Sequence, residues 1–180
     1  MASFGQIHNR PRDGLQSVSG RLYKFALVLT VNEELARALL RSAMKGLNAR
    51  NDFNADNREV LIDAFRRMYS LWSAKATEDP SIQRRCPADP RLFASSLARG
   101  PLAGNANFAK FIATMPFQQR AALYLVYGEG ASYDEAAEAA GLELLALMTL
   151  LARGHLALSQ WLDHRGISDA DASPARERAA

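Results

Sequence analysis

The segment from residue 132 to residue 151 constrains the fold of this chain most. It opens with Ser132 followed three residues later by Glu135, which is the capping-box pattern that starts a helix. Gly141 then predicts the end of that short helix, because glycine adopts the backbone conformation of a helix stop at little cost. The apolar run that follows predicts a second helix from Glu143 to about Trp161. Two helices joined by a glycine turn are typical of a helix-turn-helix.

The second of these helices lacks the side chains that read DNA. Arg153 is the one Lys or Arg between Leu142 and Leu158, whereas recognition helices contact bases and phosphates through basic and amide groups. Leucine and methionine suit a protein groove better than a phosphate backbone. We therefore predict a partner-binding face on this helix, covered by the N-terminal half, a second copy or a partner helix. An ordinary core helix is the alternative. The predicted face consists of Leu144, Ala146, Met148 and Leu150.

Charge is divided unevenly along the chain. Residues 1–76 carry 12 Lys and Arg against 7 Asp and Glu, while residues 115–163 carry 2 against 6. Duplex binding depends on contacts between cations and phosphates, so an acidic helix-turn-helix predicts weak or absent DNA binding. Any DNA contact would then come from a few arginines, each of which could equally lie on a solvated helix face. The candidates are Arg58, Arg66, Arg67 and Arg153.

Several classes of protein do not fit the sequence. The single cysteine, Cys86, excludes an internal disulfide, and the three histidines are too scattered for a metal site. The chain also lacks a glycine-rich phosphate loop and a recognisable catalytic frame, so we expect no enzyme activity, no metal and no cofactor. No segment approaches the roughly 18 apolar residues of a membrane span, and residues 1–20 do not read as a secretory signal. We expect a cytoplasmic protein without a membrane partner.

Apolar residues recur at helical spacing along most of the chain, which predicts an all-α protein. Four prolines between residues 76 and 104 interrupt the pattern and indicate a linker. The sequence therefore predicts two small helical domains. Helices are expected near residues 15–29, 35–47, 60–72, 108–114 and 116–127, besides the two above. The predicted boundaries are 1–76 for the first domain, 77–104 for the linker, 105–163 for the second domain and 164–180 for a tail.

This order of helices resembles the sigma-70 family of bacterial transcription initiation factors, in its small extracytoplasmic-function type. Residues 115–125, which include Pro116, Gln119 and Arg120, are similar to the leucine-proline-x-x-glutamine-arginine motif of region 4. Residues 130–137 are similar to the glycine-leucine-serine-tyrosine motif that follows it. The resemblance covers residues 15–163. It implies a region 2-like domain and a region 4-like helix-turn-helix, with the RNA polymerase core and an anti-sigma factor as partners.

The chain departs from the family pattern at positions that carry function in the family. Where the family has an acidic pair and nearby residues that dock on polymerase, this chain has Arg37, Ala38 and Arg41. In the recognition helix, Met148 and Leu150 stand where the family has Lys and Arg. If each lost contact to DNA is worth about 1 to 3 kcal/mol, these changes remove most of the specific affinity of so small a domain.

Three hypotheses follow from this resemblance and its departures. The first is a degenerate sigma-like protein that acts through contacts with an anti-sigma factor, RNA polymerase or itself. The second is a functional sigma factor that directs polymerase to an atypical promoter and takes its DNA affinity from the region 2 arginines. The third is a structural helical protein that self-associates, for example as a homodimer, and has no role in transcription.

Overall fold

The computed structural model describes residues 10–48, 58–83 and 106–165, and every regular element in these ranges is helical. The all-α prediction is confirmed. A 3₁₀ turn, Pro80–Gln83, follows the third helix, and a π turn, Tyr124–Gly128, extends the fifth. The α-helices of the described residues are α1 Arg10–Thr30, α2 Glu33–Asn48, α3 Arg58–Glu78, α4 Ala106–Thr114, α5 Phe117–Leu123, α6 Tyr133–Ala140 and α7 Leu144–Arg165.

A two-residue turn joins α1 to α2. Val31 has φ of 54°, a left-handed conformation that is strained for a β-branched residue and ends α1 at once. The Asn32 side chain then accepts a hydrogen bond from the Leu35 amide at 2.9 Å and caps the start of α2. The two helices therefore fold back on each other as a hairpin, with the last carbonyls of α1 turned toward the rest of the protein.

The predicted helix-turn-helix is confirmed. The Ser132 hydroxyl accepts a hydrogen bond from the Glu135 amide at 3.2 Å, and the Glu135 carboxylate accepts one from the Ser132 amide at 2.7 Å. Gly141 ends α6 with φ of 60°, and the Leu142 amide bonds back to the Ala137 carbonyl at 2.9 Å, as in a Schellman motif. Helices α6 and α7 are bent by 99° across this turn, which is within the range of helix-turn-helix units.

Helices α1–α3, the N-terminal half, and α4–α7, the C-terminal half, share one hydrophobic core. The ring of Phe25 lies 4.9 Å from that of Phe65 and 5.7 Å from that of Tyr124, and the Tyr69 and Phe117 rings are also 5.7 Å apart. Helix α3 packs on α6 and α1 packs on α5. The two halves thus meet through buried aromatic side chains. The predicted domain boundaries stay a prediction, and most of the predicted linker lies outside the described residues.

The two tryptophans anchor different parts of this core. Trp72 of α3 is buried. Trp161 of α7 packs between Phe108 and Phe111 of α4, with ring centroids 5.8 and 5.2 Å away. This contact fixes α4 against the long final helix.

In the described part of the chain, no individual helix has both the length and the apolar character needed to cross a membrane. The bent pair of α6 and α7 passes that test by length and composition.

Replacing Gly141 and Gly20 by alanine should change the stability of the protein in opposite directions. We expect Gly141→Ala to lower the free energy of unfolding by about 1 to 2 kcal/mol, because a Cβ is strained at φ of 60°. Gly20→Ala is the matched control: it lies within α1, where an added Cβ meets open space, and it should raise stability by about 0.5 to 1 kcal/mol. Urea unfolding followed by circular dichroism measures both. Equal effects of the two changes would contradict this account of the turn.

Candidate functional site

A buried arginine joins the two halves. Arg120 of α5 is 6% exposed, and its guanidinium donates to the carbonyls of Val28 and Leu29 at 2.8 and 2.9 Å. The same group donates to the carbonyls of Ala113, at 3.3 Å, and Met115. Three of these oxygens belong to the last turns of α1 and α4, where helix carbonyls have no partner within their own helix, and Met115 directly follows α4. One side chain therefore caps two helix ends, and its charge faces the negative ends of both helix dipoles.

Removal of this guanidinium leaves several buried carbonyls without their donor. Because each buried unsatisfied acceptor costs about 1 to 3 kcal/mol, we expect Arg120→Met to lower the free energy of unfolding by about 3 kcal/mol or more. Arg153→Met is the control, since Arg153 is exposed on α7 and should change stability by less than about 0.5 kcal/mol. Denaturant titrations give both values. A midpoint for the Arg120 variant equal to that of the control would contradict the capping role.

A half-buried ion pair lies beside this arginine. The guanidinium of Arg21 donates to the carboxylate of Glu129 at 2.6 Å, and the Glu129 side chain is 7% exposed. The Tyr124 hydroxyl donates to the other oxygen of that carboxylate at 2.5 Å. The residue after the π turn, Glu129, therefore lies where Arg21 balances its charge and Tyr124 donates a hydrogen bond to it, at the point where α1 meets the C-terminal half.

Two further ion pairs join α3 to α6. Arg58 forms a two-pronged contact with the Glu135 carboxylate, one arm at 2.7 Å, and also donates to the Gly130 carbonyl at 3.2 Å. Arg66 pairs with the Glu138 carboxylate and donates to the Glu138 carbonyl at 3.1 Å. The sequence indicated Arg58 and Arg66 as candidate DNA contacts and did not predict these partners. The sequence indicated such contacts only through the opposite net charges of the two halves.

The environment of Glu135 strongly favours its charged form. The hydrogen bonds from Arg58, and then that from the Ser132 amide, lower the pKa of Glu135 from 4.5 to about 2. The same contact raises the pKa of Arg58. Glu135 therefore stays ionised through the whole physiological range, and it serves at once as a helix cap and as an interhelical ion-pair partner.

A carboxyl group whose pKa is lower in the folded than in the unfolded protein stabilises the fold at pH values above its unfolded-state pKa. This contribution is lost as the pH falls through the folded-state pKa. We therefore expect Glu135→Gln to be less stable than the wild type at pH 6, with the difference shrinking between pH 4.5 and 2. Urea unfolding at pH 6, 4 and 2.5 measures this convergence. Asp134→Asn, an exposed carboxyl in the same turn, is the control. A difference between Glu135→Gln and wild type that does not vary with pH would refute the ion pair's contribution.

A groove of about 850 Å³ lies between α3 and the turn of the helix-turn-helix. Its walls include Arg66 and Arg67 of α3, with Ala140 and Gly141 opposite. Serine and threonine side chains of α3 and the carboxylate of Asp63 complete a polar lining. Arg67, the third candidate DNA contact on α3, is exposed and faces this groove, next to the ion-paired Arg66.

The predicted partner-binding face of α7 is largely exposed. Leu144 is 41% exposed and Met148 is 47% exposed, and Ala146 is also exposed, whereas Leu150 is partly buried against the core. The sequence did not single out Leu145 and Leu156, which are 77% and 60% exposed. The described N-terminal half leaves this face uncovered, because it packs on α5 and α6.

No protein-family model matches the sequence, and no curated protein matches it. One solved structure that does match is the co-crystal structure of the sigma factor RpoE in complex with the anti-sigma factor NepR from Bartonella quintana. The TM-score is 0.62 at 20% sequence identity, and the match covers 84% of this chain and 96% of that chain. The chain has the fold of a sigma factor.

Within the sigma-factor fold, the candidate polymerase-docking residues lie on α2. Arg37 and Arg41 are exposed one turn apart, and Ala38 is partly buried. Arg37 pairs with Glu33 in the preceding turn of the same helix. An exposed pair of this kind contributes about 0.3 to 0.5 kcal/mol, so Arg37 remains available to a partner.

Among the described residues, no group of three His, Cys, Asp or Glu side chains is placed to hold a metal ion.

Proposed function

We propose that this chain is a sigma-factor-like protein of bacterial transcription control that acts through protein contacts and binds promoter DNA weakly. The observation that carries the proposal is the outer surface of α7. This helix occupies the recognition position of a helix-turn-helix, yet three leucines and a methionine are exposed on it. A helix of that chemistry gains little from a phosphate backbone and much from an apolar partner.

Four of the exposed apolar residues of α7 form a continuous stripe, and Leu144 and Ala146 lie to either side of it. At 100° per residue the four fall within a sector of about 80°, and they extend about 17 Å along the helix. Leu147 and Leu151, which are buried at 0% and 5% exposure, lie on the other side of α7. The stripe is therefore separate from the surface that packs the helix into its own core. We define this apolar stripe as Leu145, Met148, Ala152 and Leu156.

The partner that best fits the apolar stripe is an anti-sigma-type protein presenting an amphipathic helix. Helices of this kind place apolar anchors at helical spacing on such a surface. The C-terminal half carries an excess of acidic residues, so basic residues beside the anchors would favour association. The similar solved structure, in which a sigma factor is bound to an anti-sigma factor, supports this choice of partner class.

We expect the double substitution Leu145→Lys, Met148→Lys to keep the protein folded and to weaken anti-sigma binding at least about 30-fold, which corresponds to the loss of one hot-spot residue. Both side chains are exposed and lysine is a good helix former, so helical content should not change. Leu71→Lys is the matched control, because Leu71 is 37% exposed on α3, away from α7. Calorimetric titration with purified anti-sigma proteins of the source bacterium measures the affinity, and circular dichroism measures the helical content.

The other hypotheses give different outcomes with the same purified chain. A stable complex with core RNA polymerase that initiates from a defined promoter would establish a functional sigma factor, with the arginines of α3 as its DNA contacts. Arg37, Ala38 and Arg41 would then be part of the polymerase surface. A homodimer in size-exclusion chromatography that the double lysine substitution dissociates would instead establish self-association through the stripe.

A further inference from the structure

Two exposed arginines of α3 are held by carboxylates from a single turn of α6. Arg58 and Arg66 lie eight residues apart, or about 12 Å along the helix. Their partners, Glu135 and Glu138, come from the helix-turn-helix. Each guanidinium also donates to a backbone carbonyl of that unit, Gly130 or Glu138. The C-terminal half thus offers each arginine two or more oxygens, which resembles the arrangement of oxygens around a phosphate.

The geometry of this set also matches a nucleic acid strand. At about 3.4 Å of axial rise per nucleotide, 12 Å corresponds to three or four nucleotides. Arg67 is exposed beside Arg66 in the groove, whose lining also includes the carboxylates of Asp63 and Glu78. The phosphodiester backbone is therefore a natural alternative ligand for the arginines that now hold glutamates.

These ion pairs are of the kind that exchange readily. The side chains of Arg58 and Arg66 are 50% and 44% exposed, and those of Glu135 and Glu138 are 29% and 58% exposed. Exposed pairs contribute about 0 to 1 kcal/mol each and weaken with salt. By contrast, Arg120 and the aromatic contacts between the halves are buried. The arginines of α3 can thus change partners while the two halves remain packed together.

We propose that Glu135 and Glu138 act as internal competitors: they occupy Arg58 and Arg66 and thereby lower the affinity of α3 for a nucleic acid backbone. This inference rests on the weak DNA binding of the proposed function and supplies a cause for it. It explains why exposed arginines on α3 accompany an acidic helix-turn-helix in one chain. Release of the carboxylates converts the surface into a phosphate-binding one.

The test uses the full chain and a fluorescein-labelled single-stranded DNA of 20 nucleotides and mixed sequence. We expect Glu135→Gln, Glu138→Gln to bind it about tenfold more tightly than the wild type in an anisotropy titration at low salt. Two recovered phosphate contacts should steepen the slope of log affinity against log salt by about 1.4. Glutamine at residue 135 keeps the capping box, and circular dichroism checks that the fold is retained. Glu138→Gln alone, at a more exposed side chain, should show about half the change in slope.

Asp134→Asn, Glu143→Gln is the matched control, since it removes the same charge from exposed positions of the same unit. An equal gain in affinity for the control would show that net charge alone is responsible, and would overturn the proposal. So would an unchanged affinity of the Glu135, Glu138 variant, or a gain that persists when Arg58→Gln and Arg66→Gln are added. No partner protein is present in this titration, so its outcome is independent of whether the apolar stripe binds an anti-sigma-type helix.

Discussion

The arrangement of the two halves depends on the last carbonyls of α1. The left-handed backbone of Val31 ends that helix abruptly and leaves the Val28 and Leu29 oxygens inside the protein. A buried acceptor needs a donor, and in this structure the donor is Arg120 of the C-terminal half. Because the same guanidinium also caps α4, the C-terminal ends of α1 and α4 meet at α5. The contact of Phe25 with Tyr124 and the packing of α3 on α6 are compatible with this placement.

Two kinds of contact between the halves have different energetic weight. A buried carbonyl that loses its donor costs about 1 to 3 kcal/mol, whereas an exposed ion pair contributes about 0 to 1 kcal/mol. Arg120 and the aromatic rings therefore hold the halves together. The ion pairs of Arg58 and Arg66 help to orient the halves, and little stability is lost when these pairs break. The groups whose chemistry suits nucleic acid are thus also those that the fold needs least. A functional change at α3 does not require the core to open.

The local features of the fold could be predicted from sequence, and the contacts between halves could not. Ser132, Glu135 and Gly141 act within one turn of each other, so the capping box and the helix stop follow from the residues alone. Arg58 and Glu135 are 77 residues apart, and the opposite charges of the two halves indicated an attraction without naming the pairs. Arg120 was visible as the one charged side chain among residues 115–128, but its role depends on where α1 ends. Leu145 was missed because the outward face of a leucine-rich helix is set by what packs behind it.

Conservation of fold and loss of DNA-reading chemistry are compatible in a helix-turn-helix, because different positions control them. The buried side of α7, with Leu147 and Leu151, and the turn at Gly141 keep the two helices at their 99° bend. The apolar stripe of α7 lies away from that packing, so side chains of different chemistry are compatible with the same core there. A match to a sigma-factor fold at 20% identity therefore does not distinguish a DNA reader from a protein binder. The side chains on the outer surface of α7 bear on that distinction, and along the apolar stripe they are uncharged.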